Sequence, residues 1–377
     1  MSLSSIKDFL EPINIAHISN DEGYRDTQLG KHIKVNEGSL PDITDADIVI
    51  IGAGECRGAG YALHGHTAAN AVRTALYDLY YWHAQVNVVD IGNVKIGQSI
   101  QDSYAALRTV ISELLLQNKK VVIIGGAHDL TLAQYHAYTS IPTLVNAVVV
   151  DAKIDLDLEA RLPRDHFLEE LFTGLPNHLN HYSHIGFQSY FMHPHMLETI
   201  DKLRFDCFRL GKVREGIEEM EPVIRDSHML SFDISAIQNA QAPANLITPN
   251  GFNGEESCTL MQYAGMSWKT STIGLFGYQA ELDVNNMTAI QIAQMFWYIM
   301  DGLQKGKKEA PLTESDRFKE FHIAFSDIET NFLQSKSTGR WWMQMHNNEW
   351  APCSYKDYLV ASNNEIPERW LRALERE

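Results

Sequence analysis

The stretch "VVVDAKIDLD" at residues 148–157 decides the fold and holds the first candidate site residues. Residues 147–150 are four apolar residues in a row, which indicates a buried β-strand. Asp151, Lys153 and Asp155 follow at every second position, and in an extended chain alternate side chains point the same way. The pattern therefore predicts two carboxylates and an ammonium on one face, where a hydrophobic strand leaves the core.

Apolar runs of the same kind recur along the chain, and helical stretches lie between them. They predict eight strands, at residues 47–54, 86–92, 120–126, 146–152, 182–187, 204–210, 228–234 and 271–277. The amphipathic stretches at 67–82, 101–117 and 288–304 are helix candidates. Continuous apolar strands separated by helices favour a parallel sheet covered on both faces. We therefore expect an α/β fold with three αβα layers around a central, mostly parallel eight-stranded sheet.

One polar stretch, "KGKKEAPLTESD" at residues 305–316, has the composition of a domain boundary. We expect residues 1–305 to form the α/β domain and residues 306–377 to form a C-terminal extension. The extension is rich in aromatic residues between positions 335 and 360. Because aromatic side chains are seldom left in water, we expect the extension to pack against the main domain.

Composition and charge limit the classes of partner that this protein can have. The chain has 377 residues, of which 45% are hydrophobic, and a formal net charge of −17. Such an acidic surface repels nucleic acids and anionic membranes. The sequence has no signal-peptide pattern, no run long enough to span a bilayer, and four scattered cysteines without metal-type spacing. We expect a cytoplasmic protein with free thiols and with neither nucleic-acid nor membrane partners.

Polar residues follow several of the predicted strands, and in a doubly wound sheet the functional groups lie just beyond the strands' carboxyl ends. Five candidates stand there: His128 and Asp129 after the third strand, Asp151 and Asp155 after the fourth, and Asp233 after the seventh. Each has a structural alternative, such as a helix cap for Asp129 or a solvated ion pair for the Asp–Lys stretch. An imidazole and three carboxylates at one edge repel one another unless a divalent cation lies between them.

The glycine-rich stretch "GAGECRGAG" at residues 52–60 offers a different function. It nearly matches the dinucleotide-binding fingerprint, but the position of the third glycine is occupied by Arg57. A nucleotide- or phosphate-binding α/β protein is therefore kept as an alternative.

Three of these stretches resemble a known family. "GGAHD" (125–129), "DAKID" (151–155) and "SFDIS" (231–235) resemble the G-G-x-H, D-A-H-x-D and S-x-D-x-D motifs of the ureohydrolase superfamily, which comprises arginase, agmatinase and formimidoylglutamase. The likeness covers about residues 45–305 and is nearest to formimidoylglutamase through "GGAHDLT". It implies an arginase-like fold, hydrolysis of C–N bonds in linear amidines or guanidines, and trimers or hexamers. It also implies two Mn²⁺ ions bridged by a hydroxide.

The resemblance implies four ligands for the first metal ion: His128, Asp151, Asp155 and Asp233. The two ligands that serve only the second ion are replaced by Lys153 and Ser235. An ammonium has no lone pair for a metal, and a serine hydroxyl is a poor ligand. We therefore expect a degraded dinuclear site with one divalent ion, Mn²⁺, and with Lys153 in place of the second cation. In the alternative, Lys153 has replaced metal altogether.

The substrate side also departs from the family. The position of the family's amidine-binding glutamate falls on Gly277, and Glu281 lies nearby but out of register. His166 is the candidate for the histidine that transfers protons in some relatives. The resemblance thus implies a hydrolase of guanidino or formimino compounds, while the missing groups favour the alternative of a catalytically silent relative with a binding or regulatory role.

Overall fold

The computed structural model describes residues 3–19, 23–326 and 328–374, and one large sheet organises most of them. Its ten strands are β1 (Leu10–Glu11), β2 (Lys34–Val35), β3 (Ile48–Ala53), β4 (Val88–Val94), β5 (Lys120–Ile124), β6 (Val145–Val150), β7 (Leu179–Phe187), β8 (Asp206–Arg209), β9 (Met229–Asp233) and β10 (Thr272–Phe276). The order is β1-β4-β3-β5-β10-β9-β6-β7-β8, and β2 pairs with β4. All pairs are parallel except β1 with β4.

The eight strands β3 to β10 are the eight that the sequence predicts, so the α/β fold with a mostly parallel sheet is confirmed. Every residue of β3, β5 and β10 is buried, and apart from Lys120 and Thr272 at the starts of β5 and β10 these strands are apolar or glycine rather than alternating. Ile48 and Ile50 of β3 face one hydrophobic cluster, and Val49 and Ile51 face another. Each cluster is one side of the sheet.

Helices cover both sides. In chain order they are α1 (Thr67–Tyr77), α2 (Ile100–Leu116), α3 (Thr131–His136), α4 (Phe167–Thr173), α5 (Pro194–Lys202), α6 (Leu210–Glu215), α7 (Met220–Arg225), α8 (Gly254–Met266) and α9 (Met287–Gly306). Apolar residues of α1, α8 and α9 fill one cluster, and those of α2, α3 and α4 fill the other. This gives the three layers expected from the sequence. In the described part of the chain, no helix has the length and apolar content needed to cross a membrane.

A buried ion pair ties α1 to the sheet. Nε of Arg73 lies 2.8 Å from Oδ2 of Asp90 in β4, and both side chains are 0% exposed. The hydroxyl of Tyr77 and the backbone N–H of Gly92 also donate to this carboxylate, at 2.7 and 2.9 Å. The pair therefore replaces the hydration of two buried charges with protein hydrogen bonds.

Residues 318–374 contain a second, antiparallel sheet. Its strands are β11 (Phe318–Phe325), β12 (Ile328–Ser335), β13 (Trp341–Gln344) and β14 (Trp350–Cys353), paired in that order, and α10 (Tyr355–Ser362) and α11 (Glu368–Leu374) follow. Phe325, Trp341 and Trp370 belong to a core of its own. Arg225 of α7 donates to the carbonyl oxygen of Trp341 at 2.8 Å, so this unit contacts the main sheet's helices. The domain boundary at residue 305 stays a prediction.

Candidate metal centre

Neighbouring strands of the main sheet carry the candidate ligands at their carboxyl ends. His128 lies in the turn after β5, Asp151 and Asp155 follow β6, and Asp233 is the last residue of β9. In the sheet, β10 lies between β5 and β9, and β6 lies next to β9. Because these strands are parallel, the three chain segments end at the same edge, as the sequence predicts.

The four candidate ligands converge on one point. Nδ1 of His128 lies 2.9 Å from Oδ2 of Asp155, 3.0 Å from Oδ2 of Asp151 and 3.8 Å from Oδ2 of Asp233. Nε2 of His128 lies 3.1 Å from Oγ of Ser231, a partner that orients the ring with Nδ1 toward the carboxylates. The ligand atoms of His128, Asp151 and Asp233 all lie within 4.8 Å of one another, and this donor set, with Asp155 beside His128, suits a divalent cation such as Mn²⁺.

The pKa values of these buried groups are shifted in different directions. Burial, followed by the charge of Asp151, raises the pKa of Asp233 to about 6 and that of Asp155 well above its ordinary value. For Asp151, burial would raise the pKa, but the hydrogen bond and charge of His128 and the hydrogen bond from Ser235 together lower it. Burial alone would lower the pKa of His128, but hydrogen bonds with Asp151 and Asp155 raise it well above its usual range. Without a cation, bound protons therefore reduce the repulsion between these carboxylates.

The resemblance assigns the two remaining ligands of the second ion to the positions of Ser235 and Lys153, and this assignment stays a prediction. The hydroxyl of Ser235 donates to Oδ1 of Asp151, and its backbone N–H donates to Oδ1 of Asp233 at 2.7 Å. Nζ of Lys153 lies 3.5 Å from Oδ1 of Asp165, outside the ligand set. Lys153 thus reaches the site, but its ion pair is with a residue that the sequence did not single out. Its role as a substitute for the second cation stays a prediction.

A small cavity of about 60 Å³ opens above the ligands. Besides the candidate ligands and Lys153, it is lined by Tyr61, Arg164, Asp165 and Gln279, which sequence reasoning missed. Arg164 and Asp165 lie in the loop between β6 and α4. The rule that functional groups follow strand ends could have found them, had it been applied to the whole loop rather than to its first five residues.

Other candidates lie elsewhere. In the described part of the chain, neither His166 nor Glu281 is among the residues that line the cavity. His166 precedes α4, and its backbone N–H donates to the carbonyl oxygen of Pro163 at 3.2 Å. Glu281 accepts a hydrogen bond from the hydroxyl of Thr67 at 2.8 Å. Asp129 makes no helix-capping hydrogen bond and instead accepts one from the hydroxyl of Tyr104. The structure therefore brings none of the three to the ligands.

Gly277, to which the resemblance assigns the position of the amidine-binding glutamate, lines the cavity. Its φ is +80°, in the left-handed region that favours glycine. A Cβ atom added there would lie 2.4 Å from Oδ2 of Asp233, far closer than two such atoms can approach. This position therefore admits no side chain while Asp233 keeps its place.

The glycine-rich loop after β3 does not lead into a helix. A single 3-10 turn (Arg57–Ala59) follows, and α1 begins only at Thr67. Nη2 of Arg57 lies 2.6 Å from Oε2 of Glu55, so the guanidinium is already paired with a carboxylate rather than open to a phosphate. Since the dinucleotide fold needs a helix N-terminus directly after the glycines, this geometry gives the nucleotide alternative no support.

Comparison with known proteins assigns the family. The crystal structure of Trypanosoma cruzi formiminoglutamase with Mn²⁺ is 16% identical, with a TM-score of 0.64 over 71% of this chain and 96% of that one. Formimidoylglutamase from Bacillus subtilis is 18% identical, with a TM-score of 0.66 over 76% of this chain and 94% of that one. Agmatine ureohydrolase of Thermoplasma volcanium is 17% identical, with a TM-score of 0.61 over 76% of this chain and 98% of that one. No curated protein sequence matches. Residues 46–301, about two-thirds of the sequence, match the Arginase family, so the resemblance is confirmed and this chain belongs to that family.

Proposed function

We propose that the protein hydrolyses C–N bonds in linear amidines, in the manner of formimidoylglutamase, with one divalent metal ion. The observation that carries the proposal is the convergence of Asp151, Asp155 and Asp233 on Nδ1 of His128. The similarity in fold to two formimidoylglutamases and an agmatine ureohydrolase supports the reaction class. By analogy with its family, the protein is a cytoplasmic homo-oligomer, a trimer or a hexamer.

The charges around the cavity favour one ion over two. Four aspartates line it against two cations, Lys153 and Arg164, which leaves a charge of −2 when His128 is neutral. One divalent ion brings this charge to zero, whereas two would leave +2 in a buried site. Mn²⁺ suits a set of three carboxylates and one imidazole.

Different residues would bind the metal ion, orient its ligands and donate a proton in this reaction. Asp151, Asp155, Asp233 and His128 would hold the ion, which lowers the pKa of a water molecule that it binds. Ser231 holds the imidazole ring in its orientation. Lys153, whose ammonium lines the same cavity, can donate a proton to the leaving nitrogen. Asp165 positions this ammonium through their ion pair.

We expect close to one divalent ion per chain when the protein is purified without chelator and loaded with Mn²⁺. His128→Ala and Asp151→Asn should each lose the ion, because removing a ligand weakens metal binding by at least about 100-fold. Asp157→Asn changes an exposed carboxylate of the same loop and should bind metal normally. Elemental analysis per chain measures all four proteins. Full metal content in His128→Ala and Asp151→Asn would place the ion elsewhere.

The activity assay measures formamide and ammonia released from formimino amino acids, with arginine and agmatine as comparison substrates. Arginine and agmatine should not turn over at ordinary enzyme rates, on the order of 10 per second, because Gly277 supplies no group for a guanidinium. Urea release at such rates would contradict the proposal. Metal binding without turnover of any substrate would support the second candidate, a catalytically silent relative, which the bare position at Gly277 favours.

Metal binding should weaken as the pH falls. The pKa of Asp233 is about 6, and those of Asp155 and His128 are also raised, so below pH 6 protons occupy the groups that the ion needs. Competition at Asp233 alone predicts an affinity about tenfold lower at pH 5 than at pH 7. Calorimetric titration with Mn²⁺ in buffers of different ionisation enthalpy measures both the affinity and the protons released. An affinity independent of pH would rule out this ligand set.

A further inference from the structure

A second cavity, which we call the C-terminal cavity, lies between the main sheet and the unit of residues 318–374. Its volume is about 760 Å³. The amino-terminal halves of β6 and β7, together with β8, form its floor, and α6 and α7 form one wall. β13, β14, α10 and α11 cover it. The metal ligands follow the carboxyl ends of the strands, so this cavity lies at the opposite end of the sheet. Its cover also lies outside residues 46–301, the part that matches the Arginase family.

The C-terminal cavity has a largely apolar lining, and the charges around it are already paired. The apolar lining includes Val148, Phe208, Val213, Met220, Val360 and Ile366. Every charged lining residue except Lys356 forms an ion pair with another described residue, as Arg369 does with Asp357 at 2.9 Å. Lys356 is exposed to solvent. A charged ligand inside the cavity would therefore bury its charge without a counter-ion, which is unfavourable.

The floor of the C-terminal cavity carries two polar groups with unused hydrogen-bonding capacity. His181 and Ser183 stand two positions apart in β7, so they face the same side of the sheet, and they are 5% and 3% exposed. The hydroxyl of Ser183 makes no hydrogen bond with the described residues. Nε2 of His181 lies 3.0 Å from Oδ2 of Asp206, which leaves Nδ1 of the neutral ring as an acceptor.

Buried polar groups of this kind are normally satisfied by a partner, because leaving them without one costs free energy. A hydroxyl group and an acceptor nitrogen on one face suit a ligand group that both donates and accepts hydrogen bonds. Alcohols and amides have this property without carrying a charge.

We propose that the C-terminal cavity binds an uncharged small molecule that has an apolar body and a hydroxyl or amide group. The polar group forms hydrogen bonds with Ser183 and His181, and the body contacts the apolar lining. The volume of the cavity falls within the range of small-molecule sites, roughly 300–1,000 Å³. The unit of residues 318–374 is then the part of the chain that adds a ligand site to the family domain. Binding there requires neither metal nor turnover, so it does not depend on the proposed function.

Fluorescence titration of the full chain with 1-aminoanthracene, an aromatic amine that is uncharged at neutral pH, tests the cavity. We expect one saturable site per chain with a dissociation constant of at most about 100 μM. Val360→Trp fills the cavity from α10 and should weaken binding by at least about tenfold. Leu359→Trp places the same side chain at a neighbouring, 41% exposed position that lines a different cleft, and it should leave binding unchanged.

Displacement of the probe by octan-1-ol, octanoate and octylammonium tests the preference for an uncharged ligand. Octan-1-ol should compete at least about tenfold better than either ion, because each ion loses hydration that the cavity does not replace. Ser183→Ala should weaken octan-1-ol about fivefold, the effect of one hydrogen bond. A change below about twofold would contradict the contact with Ser183.

A second filling variant and a metal control decide the remaining outcomes. If Val360→Trp does not fold, Ala373→Phe fills the cavity from α11 and should cause the same loss. The proposal is overturned if 1-aminoanthracene shows no saturable binding, or if both filling variants bind it normally. It is also overturned if octanoate or octylammonium competes as well as octan-1-ol does. Loading with Mn²⁺ should leave the affinity for the probe unchanged, and a loss on loading would place the probe at the metal centre instead.

Discussion

The double variant Lys153→His with Ser235→Asp is expected to bind two divalent ions per chain, against one in the unmodified protein. Lys153→His supplies an imidazole in place of an ammonium, and Ser235→Asp supplies a carboxylate beside Asp151. Together the two changes restore both ligands that the family reserves for its second ion. The charge of the cavity becomes two units more negative, which one additional divalent ion offsets.

Neither single substitution should suffice. Lys153→His leaves the second ion without a carboxylate of its own. In Ser235→Asp we expect the new carboxylate to form an ion pair with Lys153, which lines the same cavity. Elemental analysis after Mn²⁺ loading should give at most one ion per chain in both. The matched control is Lys153→His with Ser235→Asn, which has the same shape without the charge and should also stay near one ion. Two ions in the unmodified protein would show that Lys153 does not displace the second cation.

Arg73→Met is expected to destabilise the protein by about 3–5 kcal/mol. The substitution leaves the carboxylate of Asp90, which is 0% exposed, without its counter-ion. Tyr77 and Gly92 still donate hydrogen bonds to Asp90, but they carry no positive charge. Chemical denaturation monitored by circular dichroism gives the free energy of unfolding.

Two variants show whether the loss comes from the unpaired charge. Arg108→Met replaces an exposed arginine of α2 and should change stability by less than about 0.5 kcal/mol. Arg73→Met with Asp90→Leu removes both charges and should recover part of the loss, because no ion is then buried alone. A loss below about 1 kcal/mol in Arg73→Met would mean that water reaches Asp90 or that the carboxylate takes up a proton.

Continuous apolar runs made the main sheet predictable. Strands buried on both faces are mostly apolar, so their positions stand out in the sequence, as residues 120–126 show for β5. β1 and β2 have two residues each, too few for any pattern. β7 begins at Leu179 rather than at residue 182, because Leu179 is half-buried and Asn180 is exposed, so this stretch has the pattern of a loop. The antiparallel strands of residues 318–353 were not predicted. β11 and β12 contain polar residues between their apolar ones and therefore have no continuous apolar run.

The candidate metal ligands could be predicted from the sequence, whereas the other residues that line the cavity could not. His128, Asp151 and Asp233 lie at, or within four residues of, the carboxyl ends of their strands, so the strand order brings them together. Arg164 and Asp165 lie 14 and 15 residues beyond the end of β6, where the path of a loop decides which side chains face the cavity. The pairing of Lys153 with Asp165 depends on that path as well. No periodicity in the sequence encodes it.

The bare position at Gly277 has a consequence for the redesign of this cavity. A glutamate introduced there would carry its Cβ within 2.4 Å of an oxygen of Asp233 and would require a left-handed backbone that glutamate seldom adopts. A single Gly277→Glu substitution would therefore displace a candidate metal ligand before it added a substrate contact. An engineered change of substrate preference has to begin at other lining residues, such as Tyr61 or Gln279.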